Sequence, residues 1–224
     1  MKASAIRTVL VTTLLLGASA LQAQGAKPVP YQEGLHYEII ENAPAGTPGE
    51  HELVEAFSYL CSHCNSFEPY INSWKKNKPE NVDFNRIAVV FGRGSWELYA
   101  RGYVTAQLLN IGDEAHAAMM DRLWKDKEIM RSMEELAQFY GQFGVDPEKF
   151  VATSKSFAVE SRLNRDQRKV QEYGVTGTPS LILNGKYRVS PSPAVANFDV
   201  MLDVVNFLIE QESAGSQQAS AAAD

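Results

Sequence analysis

Phe57-Ser-Tyr-Leu-Cys61-Ser-His-Cys64-Asn-Ser-Phe67 holds both cysteines of this 224-residue chain. The run leading into it, Leu53-Val-Glu-Ala-Phe57, is apolar except for Glu55 and fits a buried strand. Beyond it the period changes. Phe67, Tyr70, Ile71 and Trp74 recur at i, i+3, i+4 and i+7, the spacing of one helix face. The stretch therefore predicts a strand, a turn and a helix whose start carries two sulfurs. Pro69 falls inside that helix, removes one backbone hydrogen bond and predicts a kink.

Upstream, residues 24–34 read as an irregular lead-in and His36–Ile40 as a short first strand, followed by a Pro- and Gly-bearing loop from Asn42 to Gly49. Downstream, Val82–Phe91 reads as a strand built on Ile87-Ala-Val-Val-Phe91, broken by Gly92-Arg-Gly94. Residues 95–173 carry only helical periodicity. Ser132-Met-Glu-Glu135 has the form of a capping box, Asp146-Pro147 that of an N-cap with proline at the first helical position. A last helix of this block spans roughly Ala158–Tyr173. Strand character returns at Pro179–Leu183, and Asn184-Gly185 marks a tight hairpin into Lys186–Val189. Phe198, Met201, Leu202, Val205, Leu208 and Ile209 give the apolar face of a closing helix.

The helical block has no strands of its own, so it is read as an insertion into one α/β domain. The expected divisions are a signal peptide at 1–23, a first α/β part at 24–94 and a helical insertion at 95–173 whose last helix bridges back. A second α/β part at 174–212 and a disordered Ser/Gln/Ala-rich tail at 213–224 follow.

Hydrophobic residues make up 45%, enough for a sizeable core, and the net charge is −6 with a pI near 5.3. That balance gives no general attraction to nucleic acid or to an anionic membrane surface. Lys2 and Arg7 precede the apolar or small run Val9–Ala20, the pattern of a cleavable export signal, with cleavage after Ala20 or Ala23. Gln22, Gln24 and Lys27 arrive too soon for a spanning helix. Export implies an oxidising compartment. A Cys-x-x-Cys bridge closes too short a loop to stabilise a fold much, which favours chemistry over stapling.

The thiolate is the nucleophile of disulfide exchange. Cys61 at the helix start faces unsatisfied N–H groups and the positive end of the dipole, which lowers its pKa and makes it a good leaving group. His63 adds a donor, or a charge when protonated. Cys64, one turn in, is the sheltered sulfur that resolves a mixed disulfide. A zinc site needs two further ligands, and His36, His51 and His116 are scattered, so no metal is expected. His116 reads as a packed histidine, and the stripe Arg162, Arg165, Arg168 and Lys169 as a solvated helix face.

The chain resembles the thioredoxin superfamily and, within it, the periplasmic DsbA oxidases. The matching residues are Glu55-Ala-Phe-Ser-Tyr-Leu-Cys61-Ser-His-Cys64, Phe67, Pro69, Val175-Thr-Gly-Thr178-Pro179 and Asn184-Gly-Lys-Tyr187, with the block 95–173 as the family's helical insertion. The resemblance implies an α/β thioredoxin fold, a central mixed β-sheet flanked by helices with an inserted all-helical subdomain. It implies a cis Thr178–Pro179 bond that presents the Thr178 backbone to substrate. It also implies that Glu55 is the buried acid that relays a proton to or from Cys64. Arg86 falls where the family often carries a lysine paired with that acid. Many DsbA proteins have proline where this chain has Ser62, so Ser62 is a candidate for tuning the redox strength, through a hydroxyl hydrogen bond to the Cys61 thiolate.

The expected function is that of a periplasmic thiol:disulfide oxidase with no cofactor beyond the Cys61–Cys64 pair. It would act as a monomer on folding exported proteins, reoxidised by a DsbB-type membrane partner. The alternatives are a disulfide reductase or isomerase and, from another class, a peptide-binding chaperone or a thiol metal carrier.

Overall fold

The computed structural model describes residues 30–41, 43 and 49–221. The expected signal segment, both of its cleavage sites and most of the Asn42–Gly49 loop lie outside the described residues. The unit beginning at Tyr31 is built on a five-stranded mixed sheet. Its strands are β1 (Glu38–Ile39), β2 (His51–Phe57), β3 (Val82–Ala88), β4 (Ser180–Leu183) and β5 (Tyr187–Val189), in the order β1-β5-β4-β2-β3. β2 and β3 run parallel; β2–β4, β4–β5 and β1–β5 are antiparallel. The first strand is shorter than its sequence suggests, with Ile39 exposed at the sheet edge.

β2 is buried nearly throughout, as a central strand must be. Its alternation sorts the core. Leu53 joins Leu181, Leu183 and Val189 against helices α1 (Ser62–Asn77) and α7 (Phe198–Ala221). Val54 and Ala56 point the other way, with Ile87, Ile182 and Val170 of α6 (Phe157–Glu172). Glu55 shares the Leu53 face, which aims its carboxyl toward α1.

Between β3 and α6 run α2 (Gly94–Leu108), α3 (Asp113–Trp124), α4 (Met133–Gly141) and α5 (Pro147–Ser154). Their core, including Tyr99, Tyr103, Met119, Leu136, Tyr140 and Phe150, is continuous with Phe57, Tyr59, Cys61 and Cys64. The helical block is thus packed onto the cysteine motif, and Trp124 Nε1 donates to the Tyr59 carbonyl at 2.9 Å. Asp146 caps α5 by accepting from the N–H groups of Glu148 and Lys149, as expected. The capping box at Ser132 forms only by half: Ser132 Oγ accepts from Glu135 N, but Glu135 reaches back to Arg131 N, one residue beyond the cap.

α6 ends in a Schellman motif that aims the chain at the site. Gly174 N–H bonds Gln171 O and Val175 N–H bonds Val170 O, with Val170 and Val175 in one apolar cluster. Gly174 has φ +61°, and a Cβ there would collide with Arg188 Nη1, which donates to the Tyr173 and Gly174 carbonyls. Gly174→Ala is therefore expected to cost about 1–2 kcal/mol from the left-handed backbone alone, read as a lower urea midpoint with an unchanged slope.

The closing helix does not stop where its apolar face ends. It continues to Ala221, through residues that the sequence reads as a tail beginning at Ser213; residues 222–224 lie outside the described residues. Glu212 takes hydrogen bonds from Lys186 and Tyr187, and Ser213 Oγ lies 2.9 Å from His51 Nε2. Anchored there, an Ala- and Gln-rich segment propagates a helix already nucleated.

Candidate active site

Three chain segments meet at one end of the sheet's central strands. β2 and β3 both end there, and antiparallel β4 begins there, with Ala56 paired to Ser180. Leaving β2, the chain turns through Ser58, whose carbonyl accepts from Cys61 N–H at 3.1 Å and whose Oγ accepts from Leu60 N–H. Cys61 is the N-cap of α1, with extended backbone, and its sulfur accepts from Cys64 N–H at 3.4 Å. The helix carries Pro69 in its interior, as the sequence predicts.

Both cysteines are free thiols here; Cys61 is 9% exposed and Cys64 fully buried. Opposite them, the Thr178–Pro179 bond is cis, and Cys61 Sγ donates to the Thr178 carbonyl at 3.4 Å. The loop is braced by Ser180 Oγ, which donates to Gly177 O at 2.9 Å and meets Ser190 Oγ at 2.8 Å.

The two sulfurs differ electrically. Cys61 is lowered from an ordinary 9.0 to about 5. Its hydrogen bond with the Cys64 side chain contributes most and burial opposes it, while the side chain of Thr178 and the backbone N–H groups of Cys64 and His63 lower it further. Cys64 moves far the other way, first through burial and then through its bonded neighbour Cys61. One thiol is ionised at neutral pH and its partner is not.

His63 enters this balance through its backbone N–H, and its ring is exposed. Ser62 is also exposed; the side-chain bonds of Cys61 run to Thr178 and Cys64. Next to the cysteines lies a cavity of about 500 Å³, bounded by His63, Tyr70, Thr178, Pro191, Phe198 and Met201 among others. Tyr70 is 38% exposed and packs on Phe198 at 5.3 Å. It therefore belongs to the cavity wall, while the buried stripe of α1 runs through Cys64, Phe67, Glu68, Ile71 and Trp74.

Behind Cys64 sits a buried polar cluster. Glu55 and Arg86 face each other in the β2–β3 register, and Arg86 Nε donates to Glu55 Oε2 at 2.7 Å. Arg86 Nη2 also donates to Glu68 Oε1 at 3.2 Å. Burial raises the Glu55 pKa, Arg86 opposes that, and the like charge of Glu68 adds to it. Glu55 Oε1 has no hydrogen-bond partner. The sequence points to Glu55 and Arg86, but not to Glu68 or its contacts. A glutamate in the buried stripe four residues after Cys64 is the signal that marks it.

A cysteine pair at a helix start beside a cis-proline loop, on a mixed sheet flanked by helices, is the thioredoxin-like architecture of thiol oxidoreductases. A family model described as a DSBA-like thioredoxin domain matches residues 52–203. The thiol:disulfide interchange protein DsbA of Pseudomonas aeruginosa is 32% identical over 210 residues, 93% of this chain and 99% of that protein. Its crystal structure superposes with a TM-score of 0.76 at 32% identity, covering 84% of this chain and 97% of that one. A Proteus DsbA variant crystallised with a non-covalently bound peptide, PWATCDS, gives a TM-score of 0.66 at 27% identity, over 80% of this chain and 98% of that one. The chain belongs to the DsbA family of thiol:disulfide interchange proteins, an oxidoreductase family that works with a redox-active cysteine pair. Among the described residues, no three His, Cys, Asp or Glu side chains are grouped to hold a metal.

Proposed function

We propose that this protein oxidises dithiols of exported proteins in the periplasm, through the pair Cys61–Cys64. The observation that carries the reading is the asymmetry of the two sulfurs, Cys61 lowered to about 5 and Cys64 raised. A substrate thiolate attacks Cys61, the Cys61–Cys64 bond breaks, and Cys64 leaves with the electron pair and takes up a proton. A second substrate thiolate then attacks the substrate sulfur of the mixed disulfide, and Cys61 departs as a stabilised thiolate. Two electrons pass from substrate to the pair. Because the reduced form is the stabilised one, the disulfide is an oxidant.

The Thr178 carbonyl, freed of its Cys61 contact when the thiol ionises, accepts a substrate N–H in strand-like pairing. The neighbouring apolar cavity takes a substrate side chain, a reading supported by the bound peptide in the Proteus relative. Glu55 exchanges a proton with Cys64, and His63 and Ser62, exposed between the cysteines, tune the potential. Residues 1–23 serve as the export signal. A quinone-linked membrane protein of the DsbB type removes the electrons, and the protein acts as a monomer.

Equilibration against glutathione buffers across pH tests this. A Cys depressed to about 5 stabilises the reduced form fully above its unfolded value near 9, and that gain is lost as pH falls through 5. Between pH 5 and 8, reduction takes up one proton, so the potential falls by about 30 mV per pH unit; below 5 it takes up two, and the slope steepens to about 59 mV. A potential more reducing than that of thioredoxin, or a 59 mV slope at neutral pH, overturns the reading.

A further inference from the structure

Glu68 is the most heavily bonded acid in the interior. Its Oε1 accepts from His116 Nε2 at 2.9 Å and from Arg86 Nη2 at 3.2 Å, and its Oε2 accepts from Asn72 Nδ2 at 3.0 Å. Because Glu68 is an acceptor, His116 Nε2 carries a hydrogen. Burial lowers the His116 pKa against the pull of Glu68, which favours the neutral ring, with Nδ1 accepting from Tyr59 O–H at 3.1 Å. His116 comes from α3 of the inserted block, is itself buried, and lies edge-on to Phe57 at 5.1 Å. Glu55, by contrast, has a single donor, Arg86, and an orphaned oxygen.

Charge balance decides which of the two acids is ionised. Two buried carboxylates face one guanidinium; Asp113 at the rim also reaches Arg86 Nη1 at 4.0 Å, but it is balanced by Lys75, with which it pairs. With a neutral His116 the cluster needs one proton to balance. A carboxyl with three N–H donors keeps its charge, and a desolvated one with a single donor takes the proton. The opposite shifts of Glu68, lowered through His116 and Arg86 against the effect of burial, and of Glu55, raised, agree.

We propose that His116 is a positioning residue for the sulfur chemistry: with Asn72 and Arg86 it fixes Glu68 as the ionised carboxylate, which leaves the one mobile proton of the cluster on Glu55. The inference rests on the reading of Cys64 as the sulfur that leaves and returns. When the Cys61–Cys64 bond breaks, the Glu55 proton moves to Cys64 and a proton from solvent replaces it on Glu55. When Cys64 attacks to re-form the disulfide, its proton leaves by the same route, through Glu55 to solvent. The groups facing Glu55 are Arg86 on β3, Cys64, Glu68 and Lys75 on α1, and Tyr103 on α2. Those facing His116 are Tyr59, Glu68, Arg86, Tyr103 and Asp113.

Infrared spectra of the oxidised protein at neutral pH test it. The wild type should show one protonated-carboxyl band, lost in Glu55→Gln. Glu68→Gln should also lose it, because a single carboxylate against Arg86 needs no proton. His116→Gln, whose amide still donates, should keep the band. His116→Phe should shift part of it to Glu68, with the band's titration midpoint moved by about one unit. Absence of the band in the wild type, its survival in Glu55→Gln or in Glu68→Gln, or identical spectra for the two His116 variants overturns the proposal. If His116→Phe does not fold, Glu68→Gln still decides. The spectra require no turnover, so an inactive protein with these bands would sink the proposed oxidase and leave this assignment standing.

Discussion

Cys64→Ala is expected to abolish catalytic disulfide transfer while leaving Cys61 reactive, so that the protein becomes a trap. Cys61 keeps its place at the N-cap of α1, and the backbone N–H groups of Cys64 and His63 still aim at its sulfur. What disappears is the internal partner. No Cys61–Cys64 disulfide forms, so oxidation of a reduced peptide falls to the uncatalysed background. A mixed disulfide on Cys61, formed with glutathione disulfide or a disulfide-bearing peptide, is no longer resolved. The Cys64 side-chain hydrogen bond is also the largest contribution to the low Cys61 pKa, so alanine should raise that pKa from about 5, though not to its ordinary 9.0. Intact mass after a pulse of glutathione disulfide reads the adduct, and absorbance of the thiolate against pH reads the midpoint. Rapid loss of the adduct without added thiol would contradict the assignment of Cys64 as the resolving sulfur.

The frame of this site is legible in the sequence because each part has a local signature. A switch from strand to helical period locates the two sulfurs at a helix start, and α1 begins at Ser62. A lone glutamate in an apolar run singles out Glu55, and the structure places it across the ladder from Arg86. The cis form of Thr178–Pro179 has no local signature; resemblance supplies it. The Glu68–His116–Tyr59 connection is not legible at all. It joins residues 48 and 57 positions apart, and only the docking of α3 on α1 creates it. Reading His116 as a packed histidine describes its burial but not its partners. The periodicity of α1 puts Tyr70 on the buried stripe, because a helical wheel ranks tyrosine above glutamate as a core residue. Arg86 reverses that order by making a buried glutamate tolerable, and Tyr70 turns outward to line the cavity beside Cys61.

Arg86→Met is expected to be the most destabilising substitution in this cluster, costing about 3–5 kcal/mol by leaving buried carboxyls without their counter-charge. Arg86 is 5% exposed, pairs with Glu55 and Glu68, and lies over the Phe84 ring at 5.0 Å. Methionine restores much of the packing and none of the charge, so the loss reads electrostatics rather than a cavity. For a chain of this size the penalty corresponds to a fall in Tm of roughly 6–20 °C. Its pH dependence has a definite sign. An acid raised above its ordinary 4.5 costs stability as pH rises through its unfolded value; without Arg86 the Glu55 carboxyl, already raised, goes higher, and Glu68 loses part of what holds it down. The gap between variant and wild type should therefore be widest near pH 7 and shrink toward pH 4, where Glu55 and Glu68 protonate and fold as neutral acids. Glu55→Gln should cost far less, because the amide oxygen still accepts from Arg86 Nε and Glu68 remains to balance the guanidinium. Urea titrations of the three proteins at pH 4 and pH 7 separate the cases. A pH-independent gap would mean that Arg86 acts by packing alone, and that the two glutamates behind Cys64 do not share its charge.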